Sequence, residues 1–150
     1  MKGTVATKIS DVKREWHLVD VEGKTLGRIA SAIAQMLMGK SKPYFVRNLD
    51  CGDYIIVVNA EKIKVTGKKE ENKTYYRHSM YPGGLKAETL KELRIRRPEE
   101  IIRHAVKGML PQNRLRDKML TRLHVYKGAE HEYADKLKKK DPIQKGELRA

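Results

Sequence analysis

One run of five residues, Tyr54-Ile55-Ile56-Val57-Val58, constrains the fold of this chain more than any other stretch. An unbroken apolar, mostly β-branched run suits a strand covered on both faces, and such strands belong to parallel sheets flanked by helices. The preceding sequence fits that picture. Trp16 to Val21 reads as a short apolar strand, and Gly23-Lys24 as a turn. Leu26, Ile29, Ala30, Ile33, Ala34 and Leu37 then recur with helical period along one face. Thr25 stands as the N-cap and Gly39 as the C′ residue of this helix. Gly27 falls in its first turn, where close approach of something is a better reason for glycine than helix propensity. Strand, helix and buried strand form a βαβ unit with a right-handed crossover, so the fold class is α/β.

The rest of the chain reads as shorter pieces. Residues 1–15 form a polar, aperiodic arm, and Lys62 to Thr66 alternates like a half-exposed strand. Gly67 to Asn72 is a charged loop, Lys73 to Arg77 is extended, and Tyr81-Pro82-Gly83-Gly84 is a loop. A helix is expected from about Ala87 into Ile95. Pro98 suits position N1 of the next helix, with Glu99 and Glu100 in its first turn. Ile101, Ile102, Ala105, Val106 and Met109 give that helix an apolar face, and Gly108 and Pro111 end it. Leu115, Met119 and Leu120 suggest one more short helix, and Leu123 to Tyr126 a last strand. A Lys-rich tail runs from residue 134 to 150.

The length of 150 residues sets one domain spanning 1–150, large enough to bury a core without disulfides or metal. No apolar stretch approaches the roughly 18 residues of a spanning helix, so no membrane partner is expected. The first ten residues lack the apolar core of a secretory signal, and the single Cys51 agrees with a reducing, cytoplasmic setting. The formal net charge is +14, with +4 carried up to Gly67 and +10 after it. A field of that size attracts polyanions but says nothing about fold.

Several chemical motifs dissolve on inspection. Gly23-Lys24-Thr25 resembles the end of a phosphate-binding loop, but Leu18 stands where that loop needs its first glycine. Asp50 and Asp53 could do acid–base work, yet Asp and Gly at a strand entrance are ordinary turn residues. The five histidines show no metal-ligand spacing, and nothing points to a nucleophilic triad. No enzyme, cofactor, metal or small-molecule substrate is expected.

The basic constellation carries more. From Arg94 to Lys127 there are ten basic residues against three acidic ones, and seven of the ten are arginine. Apolar positions interleave with them, so these charges are expected on a folded surface. Matching acids are missing, which favours polyanion binding over a merely solvated face. Arginine pairs two phosphate oxygens and stacks on bases. Tyr75, Tyr76, His78 and Tyr81 lie close by as stacking faces for single-stranded RNA. A DNA-reading helix-turn-helix around Gly108–Asn113 is the weaker alternative, because its second helix is short and poor in Asn and Gln.

At Val106-Lys107-Gly108-Met109-Leu110-Pro111, then Asn113, Leu115 and Arg122 to Gly128, the chain resembles the bacterial-type large-subunit ribosomal protein L13 family. Trp16, Asp20, Gly23 to Arg28, Ala30, Gly39-Lys40 and Lys42 resemble the family's opening. Asp50, Gly52-Asp53-Tyr54, Asn59-Ala60, Thr66-Gly67-Lys68, Lys73, Tyr75, His78-Ser79 and Gly83-Gly84 continue the likeness through roughly residues 14 to 131. The resemblance implies a three-layer α/β/α fold on a mainly parallel sheet. It also implies a non-enzymatic protein that binds large-subunit ribosomal RNA, beside neighbouring ribosomal proteins, early in subunit assembly. Two departures stand out: Leu115-Arg116-Asp117 replaces Leu-Gly-Arg, and His131-Glu132-Tyr133 replaces a His-Pro-His ending.

Two basic rims follow as the expected RNA clamp. Lys24, Arg28, Lys40, Lys42 and Lys68 form the first. The second is the Arg94–Lys127 segment, with Arg96, Arg97, Lys107, Arg114, Arg116, Lys118, Arg122 and Lys127 as its expected RNA-binding cations and His131 beyond it. Gly108, Met109 and Pro111 are expected to let RNA approach the backbone, and Tyr75 and His78 to touch sugar or base edges.

Overall fold

The computed structural model describes residues 7–137. In chain order its elements are β1 (Trp16–Asp20), α1 (Leu26–Met38), β2 (Tyr54–Val58), α2 (Lys69–Asn72) and β3 (Thr74–His78). They continue with β4 (Leu85–Thr89), α3 (Leu90–Arg96), α4 (Pro98–Met109), α5 (Leu115–Leu120), β5 (Leu123–Val125) and α6 (Ala134–Leu137). Strands β1, β2 and β5 form a parallel sheet in the order β1-β2-β5, so the fold is α/β.

The central strand explains the apolar run. β2 is hydrogen-bonded on both edges, and Ile55, Ile56 and Val57 are wholly buried. Side chains alternate across a strand, so Val19, Ile55, Val57 and Leu123 share one face. That face meets Ile29, Ile33 and Leu37 of α1 and Ile102 and Val106 of α4 in the main core. The opposite face carries Ile56 with Trp16, Tyr54 and His124. Trp16 stacks on Tyr54 at 4.3 Å and on Tyr133 at 5.1 Å between ring centres, and α6 lies against β1. The covering layer there is thus aromatic rings and a one-turn helix.

Local chemistry sets the ends of α1. Thr25 occupies the N-cap position but makes no side-chain cap, and the Leu26 amide that follows it is tied to the Lys64 carbonyl at 2.9 Å. Gly39 closes the helix with φ of +74°, and a Cβ there would sit 2.5 Å from the Cys51 carbonyl oxygen. Only glycine serves at that position.

Elsewhere the structure corrects the sequence reading. The stretch 62–66 is not a strand; Lys64 makes one parallel bridge to Thr25, and a 3-10 turn covers Ala60–Lys62. The 67–72 loop contains the single turn α2. The expected helix from Ala87 is instead β4 followed by α3, with Thr89 as the boundary. Its hydroxyl accepts the Glu92 amide at 3.3 Å, while the Glu92 carboxylate accepts the Thr89 amide at 2.8 Å. This reciprocal cap starts α3 where pairing with β3 stops. Gly108 does not end α4, which runs on to Met109 before the buried Leu110 and the exposed Pro111. Of the expected arm, residues 7–15 are described: the Lys13 carbonyl accepts from Lys42 Nζ at 2.7 Å and from the Tyr44 hydroxyl at 3.1 Å. The rest of the arm (1–6) and the tail beyond 137 lie outside the described residues.

Candidate nucleic-acid interface

Two of the expected RNA-binding cations are internal struts. Arg122, assigned to the basic rim, is only 5% exposed. Both its terminal nitrogens donate to the Asp50 carboxylate, Nη2 also reaches the Leu37 carbonyl at 3.2 Å, and Nε the Asp53 carbonyl at 3.3 Å. It ties the start of β5 to the end of α1 and the approach to β2, so no phosphate reaches it. Lys42 is committed likewise. Its three protons go to Asp53 Oδ1 at 2.6 Å, the Lys13 carbonyl at 2.7 Å and the Cys51 carbonyl at 2.9 Å. Asp50 and Asp53, read as turn residues, are the counter-charges of this network.

Asp53 shows what the network does electrostatically. Burial pushes its carboxyl upward. Hydrogen bonds from His17 and Lys42, with the Glu15 amide at 2.9 Å, outweigh burial and hold it below its ordinary value. The carboxylate stays ionised because every donor around it favours the charged form.

The outward cations are of two kinds. Arg96 pairs with Glu88 at 2.6 Å, Arg103 with Glu100 at 3.3 Å and Lys127 with Glu61 at 3.8 Å. Arg94 is held against the Glu61 and Ile63 carbonyls and Glu70. Arg28, Lys40, Lys68, Arg97, Lys107, Arg114 and Lys118 are exposed, with no counter-charge or side-chain hydrogen bond among the described residues. Lys24 is half-buried, and its charge helps to lower the Asp20 carboxyl, for which the hydrogen bond from Asn59 is the largest cause. Arg116 is also half-buried, with its Nε lacking a partner, and His131 Nδ1 is buried without one. Met109, the last residue of α4, and Pro111 just past it are exposed.

Two glycines sit among the unmatched cations. Gly27 precedes Arg28 in α1 and Gly108 follows Lys107 in α4. A Cβ at either position would meet nothing within 4 Å. Neither glycine is required by internal packing or by a positive φ, and glycine is a poorer helix former than alanine.

The β3–β4 hairpin separates the aromatic residues grouped by sequence. Tyr75 is half-buried against His104 at 5.4 Å, and burial raises its phenol above the ordinary value. Tyr76 points to the other face, 71% exposed, with Tyr81 and Met80 exposed at the tip. His78 accepts the Met80 amide at Nδ1 and shapes that tip. Arg77 and Lys86, absent from the expected site, are exposed cations paired across this hairpin. The signal for them was the hairpin itself, obscured by reading residues 87–95 as helix.

The fold and the charge pattern define a parallel α/β protein that matches its charges inside and leaves cations unmatched outside. Comparison with known proteins narrows the class to one family. The profile of "Ribosomal protein L13" matches residues 14–132. The chain is 59% identical over 128 residues to the large ribosomal subunit protein uL13 of Aquifex aeolicus, covering 85% of this chain and 89% of that one. It is 52% identical over 144 residues to the protein of the same name from Symbiobacterium thermophilum, covering 96% and 99%. The Geobacillus kaustophilus counterpart is 53% identical over 131 residues, covering 87% and 90%. The chain belongs to the ribosomal protein L13 family. That membership makes it a structural protein and not an enzyme. No helix among the described residues is long and apolar enough to cross a membrane.

Proposed function

We propose that this protein is a structural constituent of the large ribosomal subunit in the cytoplasm, where it binds large-subunit ribosomal RNA early in assembly, beside neighbouring ribosomal proteins. The observation that carries the reading is the pairing of unmatched cations with unpacked helix glycines. Arg28 stands beside Gly27, and Lys107 beside Gly108. A phosphate backbone approaching either helix gains a cation and meets no side chain at the neighbouring position. Phosphate contacts of this kind position a protein on RNA, while base contacts add specificity.

The clamp is smaller than the sequence implied. Its first rim is Lys24, Arg28, Lys40 and Lys68, and its second is Arg97, Lys107, Arg114, Arg116 and Lys118. Met109 and Pro111 lie where the second rim meets RNA. Arg122 and Lys42 hold the scaffold on which both rims stand. Sucrose-gradient sedimentation of a cell lysate tests the role: the protein is expected to migrate with the large subunit and to stay there at moderate salt. Confinement to the soluble top fractions would overturn the proposal.

A further inference from the structure

Arg77 of β3 and Lys86 of β4 are register partners, so two cations stand directly opposite each other on one face of the hairpin. Side chains so placed start about 5 Å apart, and like charges there oppose the pairing of the strands. The fold supplies no anion to offset this. Glu88, two residues from Lys86 on the same face, is taken by Arg96 of α3 at 2.6 Å. Arg77 and Lys86 are exposed, with no ion pair or side-chain hydrogen bond among the described residues. Tyr75 shows where their face points, because alternate residues of a strand share a side. Its ring packs against His104 of α4 at 5.4 Å, so the two cations look toward α3 and α4, and Tyr76 with its partner Ala87 looks away. An open groove of about 1030 Å³ separates the hairpin from these helices. Arg97, exposed and unmatched at the α3–α4 junction, also lines it. The remaining acids of the groove are engaged: Glu92 accepts the Thr89 amide at 2.8 Å, and Glu100 pairs with Arg103 at 3.3 Å.

We propose that this groove seats a stretch of RNA backbone, with one phosphate held between Arg77 and Lys86 and Arg97 available to the same stretch. The proposal rests on the RNA-binding reading above and adds a contact that neither rim contains, the opposed Arg77–Lys86 pair. A phosphate set between the two cations turns their repulsion into two attractions. Its several oxygens can take the planar fork of the arginine and the point charge of the lysine together. The groove offers no free ring for a base, since the Tyr75 ring is already packed on His104. The contact therefore positions the RNA without reading its sequence.

The test combines two measurements on the full chain: melting without RNA, and the salt dependence of binding to transcribed large-subunit ribosomal RNA. Wild type is compared with Lys86→Gln, with the double variant Arg77→Gln/Lys86→Gln, and with Lys107→Gln from the second rim. Lys86→Gln is expected to raise the melting temperature at low salt. That gain should fade near 1 M salt, where the screening length is about 3 Å. The double variant should lose about 0.7–0.9 in log–log slope, the share of one phosphate. A melting temperature that does not rise would show that the fold already matches the pair, and would overturn the proposal. So would a double variant with unchanged slope. In that case inorganic phosphate that raises the melting temperature of wild type alone would make the groove a site for free anions. Loss of association with purified large-subunit proteins would instead make it a seat for an acidic protein segment. A slope lowered by Lys107→Gln but not by the double variant would defeat the groove alone. Wild type that binds no RNA would defeat the wider reading.

Discussion

Arg122 grips Asp50 with both terminal nitrogens of its guanidinium across 72 residues of sequence, and both side chains are mostly withdrawn from solvent. The pair joins the end of α1, the approach to β2 and the start of β5 at the end of the parallel sheet where its strands begin. Breaking a buried pair strands the remaining charge, at a cost of about 3–5 kcal/mol. Arg122→Ala is therefore expected to destabilise the fold by that order in chemical denaturation. Arg122→Lys should rescue it poorly, because one ammonium cannot reproduce a fork that reaches a carboxylate and two carbonyls. An Arg122→Ala protein of unchanged stability with weakened RNA binding would return this residue to the surface.

The neighbouring Asp53 predicts acid sensitivity. Its folded pKa lies below the ordinary 3.8, so the unfolded chain takes up a proton more readily. The stabilisation is fully present above that ordinary value and is lost as pH falls below it through the folded pKa. Denaturation midpoints measured from neutral pH downward should drop there, and Asp53→Asn should lower the plateau and flatten that limb.

His124 adds a second step at milder pH. Burial lowers its pKa below the ordinary 6.5, with the positive charge of Arg103 acting in the same sense. The folded protein holds this ring neutral beneath Trp16 and Tyr133, so stability declines as pH drops below 6.5 toward the folded value. His124→Phe should remove the decline between those values while leaving the Asp53 limb in place.

The two helix glycines predict opposite effects on folding and binding. Gly27→Ala and Gly108→Ala each meet open space, so each should stabilise the isolated protein by roughly 0.5–1 kcal/mol. Each should also weaken binding to large-subunit ribosomal RNA, because the added methyl stands where a backbone approaches. Unchanged RNA affinity in both variants would remove the close-approach argument.

Much of this was legible in the sequence, and the failures have physical causes. The parallel strands, α1 with its Gly39 stop and α4 with Pro98 at N1 all carry strong local signals that agree with their packing. β4 was missed because Leu-Lys-Ala-Glu-Thr favours a helix locally, and its partner β3 overrides that preference. Arg122 and Lys42 were read as rim cations because their counter-charges lie elsewhere in the chain. Asp50 is 72 residues from Arg122, and both acids look like turn formers. Charge counting along a sequence sees the excess of cations. It does not see which of them the fold has already matched.

The most direct test of the central claim is the salt dependence of binding to large-subunit ribosomal RNA. Wild type is compared with a variant carrying Arg28→Gln, Lys68→Gln, Lys107→Gln and Lys118→Gln. Each phosphate-bound cation removed should lower the log–log slope by about 0.7–0.9, so the variant should lose roughly 2.8 to 3.6 in slope with an unchanged melting temperature. A slope that stays the same in the variant, or a wild-type affinity nearly flat in salt, would contradict the account.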